Sequence, residues 1–260
     1  MISVSDYAVN TMTLTARSGT GCVDLARLRA EQEAAAAGTT LSGDRPSVSH
    51  FSCRDGGRIV RVGRVLKRNG REKRYSDRLF DNQSTVVVRL PYHGGYYINI
   101  KIFHNGNLQM TGARSVDEAV EAANFALGSA GGSVTGATVQ LMNSNFLIGR
   151  RINREELHDV ATHSYGVLSS FNPSIYPGVK IYYMFNAHGD GRCRGSPACQ
   201  GIGKGACCKR ITLLVFSGKS NVKTSAAIIT GATCHEHISA AHKWLASVVR
   251  DHARRVAYGA

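Results

Sequence analysis

The chain has 260 residues, 43% of them apolar, enough to bury a real core in one large domain or two small ones. Its 32 Lys and Arg against 18 Asp and Glu leave a net charge of +14, which favours a polyanionic partner. No apolar run approaches the ~20 residues that span a bilayer, and the opening Met-Ile-Ser-Val lacks the layout of a signal peptide. We therefore expect an intracellular protein that is neither secreted nor membrane-bound, its seven Cys serving as thiols or metal ligands rather than disulfides.

Residues 7–16 are β-rich and partly alternating, which predicts a strand. Asp24 is placed to cap a helix that starts at Leu25, runs through an Ala-rich stretch and stops at Gly38. Residues 38–82 differ in character. Between Arg45 and Arg78 stand eleven Lys/Arg and three Asp/Glu. This stretch reads as an insertion, either a mobile basic arm or a basic hairpin, with a plain solvated loop as the alternative. Strands follow at 85–90, 96–103 and 108–111, then a helix over 115–127 with Ser115 and Glu118 in capping-box spacing. A Gly/Ser-rich linker spans 128–133.

The same order then returns. A strand is expected at 139–148, a helix capped by Asn153 and Glu156 to about Leu168, a loop over 172–178 and a strand at 179–185. A second insertion, 187–209, is rich in Cys. Strands ending at Phe216 and Thr230 and a long helix complete the chain. Ile98–Ala113 and Ile211–Ala232 share a strand ending in Phe, a Gly turn, and a strand ending in Thr-Gly-Ala. Aligning Ala113 with Ala232 sets Ala122 on Ala241 and Phe125 on Trp244, the expected apolar stripe of each helix. We thus expect two repeats, 1–130 (with insertion 38–82) and 131–260 (with insertion 187–209), in an α+β fold.

Strand alternation assigns the faces. Ile98, Ile100 and Ile102 are core candidates, leaving Tyr97, Asn99, Lys101 and Phe103 on the other side. Likewise Ile211, Leu213 and Val215 point inward, opposite Arg210, Thr212, Leu214 and Phe216. Gln109 and Thr111 join Phe103, and Ile228 and Thr230 join Phe216. A Phe set among polar and basic groups in both copies marks a binding face.

In order and duplication these motifs resemble the TATA-box-binding protein (TBP) family, whose repeats carry a strand ending in Ile-Phe, a Ser-Gly-Lys turn, and a strand ending in Thr-Gly-Ala-Lys. Tyr176-Pro177-Gly178-Val179 resembles that family's Phe-Pro-Gly-Leu. The resemblance implies a TBP-like saddle of two tandem repeats, each a curved antiparallel sheet covered by helices on its convex face. It also implies minor-groove binding and bending of double-stranded DNA by aromatic wedges. Phe103, Phe216 and Tyr176 match wedges; either Gln83 or Phe80 occupies the fourth position. Thr111 and Thr230 match groove-facing threonines, with Gln109 and Ile228 beside them. Asn10 and Asn143 are candidates for a central Asn pair. Arg89 matches a phosphate-contacting Arg and Lys219 the lysine of the Ser-Gly-Lys turn, and Lys101 and Arg210 add basic groups to the face.

The resemblance further implies a transcription initiation factor that recruits a B-type initiation factor and RNA polymerase. The divergence and long insertions are similar to TBP-like factors of large DNA viruses, so the expected location is a nucleus, a viral factory or a virion. A structural, packaging or protein-interaction protein that keeps this fold, with only non-specific nucleic-acid binding, is the alternative. In the Cys-rich insertion His188, Cys193, Cys199, Cys207 and Cys208 crowd together. The four Cys could hold zinc or be free thiols, since C-x5-C-x7-C-C lacks a C-x2-C knuckle. No other cofactor is expected. His235-Glu236-His237 reads as a solvated helix face, and no nucleotide-binding or catalytic motif supports an enzyme.

Overall fold

The computed structural model describes residues 2–38, 45–65, 71–74, 78–92, 95–195, 199, 207–218 and 221–258. Two compact units emerge, Thr11–Gln140 and a second formed by Met1–Asn10 with Leu141–Ala260. The boundary lies several residues beyond the Gly/Ser-rich stretch, and the N-terminal segment belongs with the later unit. There the Ser5 amide donates to the Leu147 carbonyl at 2.9 Å, and His242 Nε2 lies 2.9 Å from the Ser5 carbonyl.

In the first unit the strands are β1 (Ala8–Arg17), β2 (Ser47–Asp55), β3 (Arg58–Gly63), β4 (Gln83–Leu90), β5 (Tyr96–Phe103) and β6 (Asn107–Ala113). They form antiparallel pairs in the order β3-β2-β4-β5-β6-β1. Helices α1 (Leu25–Gly38) and α2 (Val116–Leu127) pack on the sheet, α1 against β2 and β3 and α2 against β4, β5 and β6. Asp24 Oδ1 accepts from the Ala26 and Arg27 amides and so caps α1. Ser115 and Glu118 complete the capping box of α2.

Over its described strands the basic insertion takes the hairpin form: β2 and β3 pair, and the sheet is extended through β2–β4 pairing. Two expectations need correction in this unit. The Gly/Ser-rich stretch is not a free linker, because the Asp24 amide donates to the Ala130 carbonyl and Glu31 accepts from the Ser129 amide. Phe125 is 41% exposed, whereas α2 buries Ala119, Ala122, Ala123, Ala126 and Leu127. These small alanines let α2 lie close to the sheet, and Phe125 falls outside that stripe.

The second unit orders β7 (Ala137–Ile148), β11 (Ser225–Ala232), β10 (Lys209–Phe216), β9 (Val179–Phe185) and β8 (Ser169–Ser170) as β7-β11-β10-β9-β8. Helix α4 (His235–Asp251) covers β9, β10 and β11, and α3 (Arg154–Asp159) packs on β9. Short α5 (Ala253–Val256) comes last. The helix expected to reach Leu168 is shorter: α3 widens into a π-turn over Val160–Ser164 and stops before Gly166, whose φ of +63° cannot continue it. Among the described residues no helix is long and apolar enough to cross a membrane.

The recurring Thr-Gly-Ala has one structural cause. Gly112 (φ +104°) is the extra residue of a bulge where β6 passes β1, since Met12 pairs with Ala113 and Thr13 with Thr111. Gly231 (φ +88°) lies where the β11–β7 ladder steps from Ile229–Ser144 to Ala232–Met142. A Cβ at Gly112 would stand 2.6 Å from the Tyr97 carbonyl oxygen, and one at Gly231 would stand 3.1 Å from that of Arg210. Both positions carry the left-handed penalty, and the first adds a backbone clash. Gly112→Ala should therefore cost about 2 kcal/mol or more and Gly231→Ala about 1 kcal/mol in denaturant unfolding.

His237 replaces Glu118 in the corresponding helix start. The N-cap of α4 is Cys234, and the Thr233 amide donates to His237 Nδ1 at 3.2 Å. The ring rests 4.7 Å from that of Phe185, so this residue is not simply solvated as expected. Burial lowers its pKa from the ordinary 6.5; Lys209 acts in the same direction and Glu236 opposes. The folded protein thus binds this proton less readily than the unfolded chain. The stability is complete above about pH 6.5 and is lost as pH falls through the lowered folded value. Thermal melts between pH 7 and 5 should show a smaller acid loss in His237→Glu, which supplies the capping carboxylate, than in the native chain.

Candidate nucleic-acid interface

Each sheet buries one set of alternating residues beneath its helices. Ile98, Ile100, Ile102, Leu108 and Met110 are fully or almost fully buried in the first unit, as are Ile211, Leu213, Val215, Ala227 and Ile229 in the second. The opposite set is largely exposed or half-buried, and it holds most of the expected site residues.

In the second unit these residues form rows across the strands. Phe216 pairs with Ala226, and Ala226 with Leu147, which is 52% exposed. Lys180, Leu214, Ile228 and Asn145 make the next row, and Tyr182, Thr212 and Thr230 the one after. Arg210 lies beyond, its guanidinium 5.7 Å from the centroid of the Tyr182 ring. Asn143 falls in the same alternation along β7, between buried Met142 and Ser144.

Tyr176 reaches this face from the loop before β9. Its ring meets Phe216 edge-on, with centroids 5.7 Å apart, and Lys180 Nζ sits 4.4 Å from the Tyr176 centroid. The loop is tied down at both ends: the Tyr176 amide donates to the Asn172 carbonyl at 2.9 Å, and Arg154 donates to the Pro177 carbonyl. Gly178 makes the contact possible, because a Cβ there would stand 2.8 Å from Phe216 and 3.0 Å from Tyr176. Ile175, beside this pair in the chain, is 82% exposed. The result is a half-buried aromatic pair at the end of β10, with apolar Ile175 and Leu147 exposed around it.

The first unit offers a more polar face. Thr13 and Asn99 flank Thr111, and Thr15 and Lys101 flank Gln109. Phe103 lines an open cleft with Thr15, Arg17, Asn107 and Gln109. Its cross-strand partner is Gln83, so the amide and not Phe80 stands beside it on the ladder; Phe80, three residues earlier, is 65% exposed. Arg89 is half-buried across from Tyr97, and Gly95 leaves room for its guanidinium.

This face is not open along its whole width. Gln83, Thr85 and Val87 share its alternation yet are buried, together with His50 and Ser52 on β2. Arg61, Lys73 and Glu72 act on the charge of His50, and the Lys73 amide donates to the Val65 carbonyl. Arg61, Glu72 and Lys73 therefore lie near His50 at this end of the face. Asn10 is exposed but alternates with buried Met12 and Leu14, opposite in parity to Thr13 and Thr15. Lys219 lies outside the described residues. Asn145 and Leu147 were missed although Met142, Ser144, Phe146 and Ile148 give β7 a readable alternation.

The charge of these surfaces is one-sided. Strands β1, β4, β5, β6, β7, β9, β10 and β11 contain no Asp or Glu, so nothing on them repels a polyanion. No protein-family model and no curated protein matches the chain. Among solved structures it is similar to the Methanococcus jannaschii TBP, with 16% identity, 95% of this chain and 99% of that one covered, and a TM-score of 0.49. A likeness of that degree leaves the role of the face to its own residues.

In the Cys-rich insertion the four predicted ligands come together. The Sγ atoms of Cys193, Cys199, Cys207 and Cys208 all lie within 4.8 Å of one another. His188 is exposed and outside this group.

The aromatic pair makes a direct prediction. Gly178→Ala should shift the ring resonances of Tyr176 and Phe216 in an NMR spectrum, because the new methyl displaces both. Gly136→Ala, where a Cβ meets nothing within 4 Å, should leave them in place.

Proposed function

We propose that the protein binds double-stranded DNA through the uncovered sheet faces and unstacks a base step with the Tyr176–Phe216 aromatic pair. The observation that carries this reading is the edge-on aromatic pair, accompanied by exposed Ile175 and Leu147 and by the cations of Lys180 and Arg210. Apolar wedges at the edge of a sheet suit insertion between bases from the minor groove. The Thr and Asn side chains behind them offer donors to the N3 and O2 acceptors of A·T pairs. The absence of acidic residues from eight strands favours the phosphate flanks.

The sequence resemblance to the TBP family supports the finer reading, in which two tandem repeats of a saddle bend promoter DNA. In that reading the complex recruits a B-type initiation factor and RNA polymerase. Thr111, Thr230, Gln109, Ile228 and Asn143 then face the groove, while Lys101, Arg210 and Arg89 serve the backbone. Asn10, by its parity, contributes least. The role of the two faces is unequal: the second unit supplies the wedges, and the first, with Gln83 beside Phe103, supplies mainly polar contacts.

Band-shift and fluorescence bending assays on a TATA-containing duplex test this. Tyr176→Ala with Phe216→Ala should weaken binding by ~10-fold or more, about 1.4 kcal/mol, and remove most of the bend. Phe103→Ala should cost less. Equal binding to all sequences without a bend, unchanged by the double substitution, would contradict the proposal and favour a phosphate-only binder.

A further inference from the structure

We propose that Cys193, Cys199, Cys207 and Cys208 hold one structural zinc ion. The sulfurs form a closed ring: Cys193 is 3.2 Å from Cys199 and 3.7 Å from Cys207, and Cys208 is 3.5 Å from Cys199 and 3.7 Å from Cys207. Four thiolates at ~2.3 Å from a tetrahedral zinc stand about 3.8 Å apart, close to this arrangement. Two disulfides would instead demand paired sulfurs at about 2.05 Å, with the pairs free to separate. Each sulfur here has at least two close sulfur neighbours.

The surroundings are shaped for such a group. Gly195 is the residue that makes room, since a Cβ there would run into the sulfur of Cys207. Cys199 is fully buried, so one ligand sits beneath the others and water has little access to that side. The chain entering the cluster is folded: Asn186 Nδ2 donates to the Arg192 carbonyl at 2.8 Å, and the Met184 amide donates to the Gly191 carbonyl at 2.9 Å. Cys208 immediately precedes β10, whose second residue is Arg210 of the uncovered face.

Four protein ligands leave no open position, so the ion is structural rather than catalytic. It would close the 187–209 insertion on itself and fasten it to the first residue of β10. The thiol protons leave when zinc binds, and the resulting complex carries a net charge of −2. Lys209, adjacent to Cys208, offsets part of that charge. Because these ligands are spread along the insertion, binding energy at the cluster is also folding energy for it.

The test uses the full chain purified under reducing, chelator-free conditions. Elemental analysis should find one zinc per chain. Cobalt substitution of the native chain should give the intense visible bands and sulfur-to-metal charge transfer of a tetrahedral tetrathiolate site. Cys207→Ser, at an exposed position, should lose the metal on dialysis against a weak chelator that the native protein survives. Cys234→Ser should keep it. Absence of bound zinc in the reduced chain would overturn the proposal, as would a cobalt spectrum without charge transfer, or two disulfides by mass. The cobalt spectrum reads the ligand set without any substitution, so a variant that fails to fold does not obscure the answer.

Discussion

The structure depends on one constraint, the period-two alternation of antiparallel strands with only one face covered by helices. Burying Ile98, Ile100 and Ile102 forces Tyr97, Asn99, Lys101 and Phe103 to the opposite side, and burying Ile211, Leu213 and Val215 does the same for Arg210, Thr212, Leu214 and Phe216. A one-residue slip would exchange the two sets. The apolar core therefore specifies the chemistry of the uncovered face as firmly as it specifies the fold. The Thr-Gly-Ala bulges belong to the same constraint, since each adds a residue to one strand only and re-aims the strand beyond it.

The two faces built this way differ in kind. In the second unit Tyr176 and Phe216 support each other because Gly178 lets the rings meet and Lys180 lies against one of them. In the first unit Phe103 stands beside an amide, and the end of the face near β4 is buried. The basic hairpin lengthens the first unit's sheet, and His50 and Ser52, which it adds to that face, are buried rather than open. Its charge contributes to the overall positive balance from the edge of that sheet.

Much of this was legible in the sequence where alternation, caps and apolar spacing agreed. The direction of Phe103 and Phe216, the Asp24 cap and the Ser115–Glu118 box follow from such agreement. Strand β2 was not legible, because Ser-Val-Ser-His-Phe-Ser-Cys sets polar residues on both faces, and both are buried. Phe125 misled because size suggested burial where closely packed alanines decide it. The sulfur cluster was ambiguous because chain spacing does not reveal where loops return. His237 was hidden by its ordinary use on helix surfaces; only the Thr233 amide shows it acting as a capping acceptor.

The central claim is that the uncovered faces read DNA from the minor groove. Replacing each A·T pair of a preferred duplex by inosine·cytosine keeps the minor-groove acceptors while changing the major-groove pattern. Competition binding of the native, inosine-substituted and G·C-substituted duplexes tests the claim most directly. The account predicts that the inosine duplex competes as well as the native one and that the G·C duplex competes poorly. An inosine duplex that behaves like the G·C duplex would contradict it.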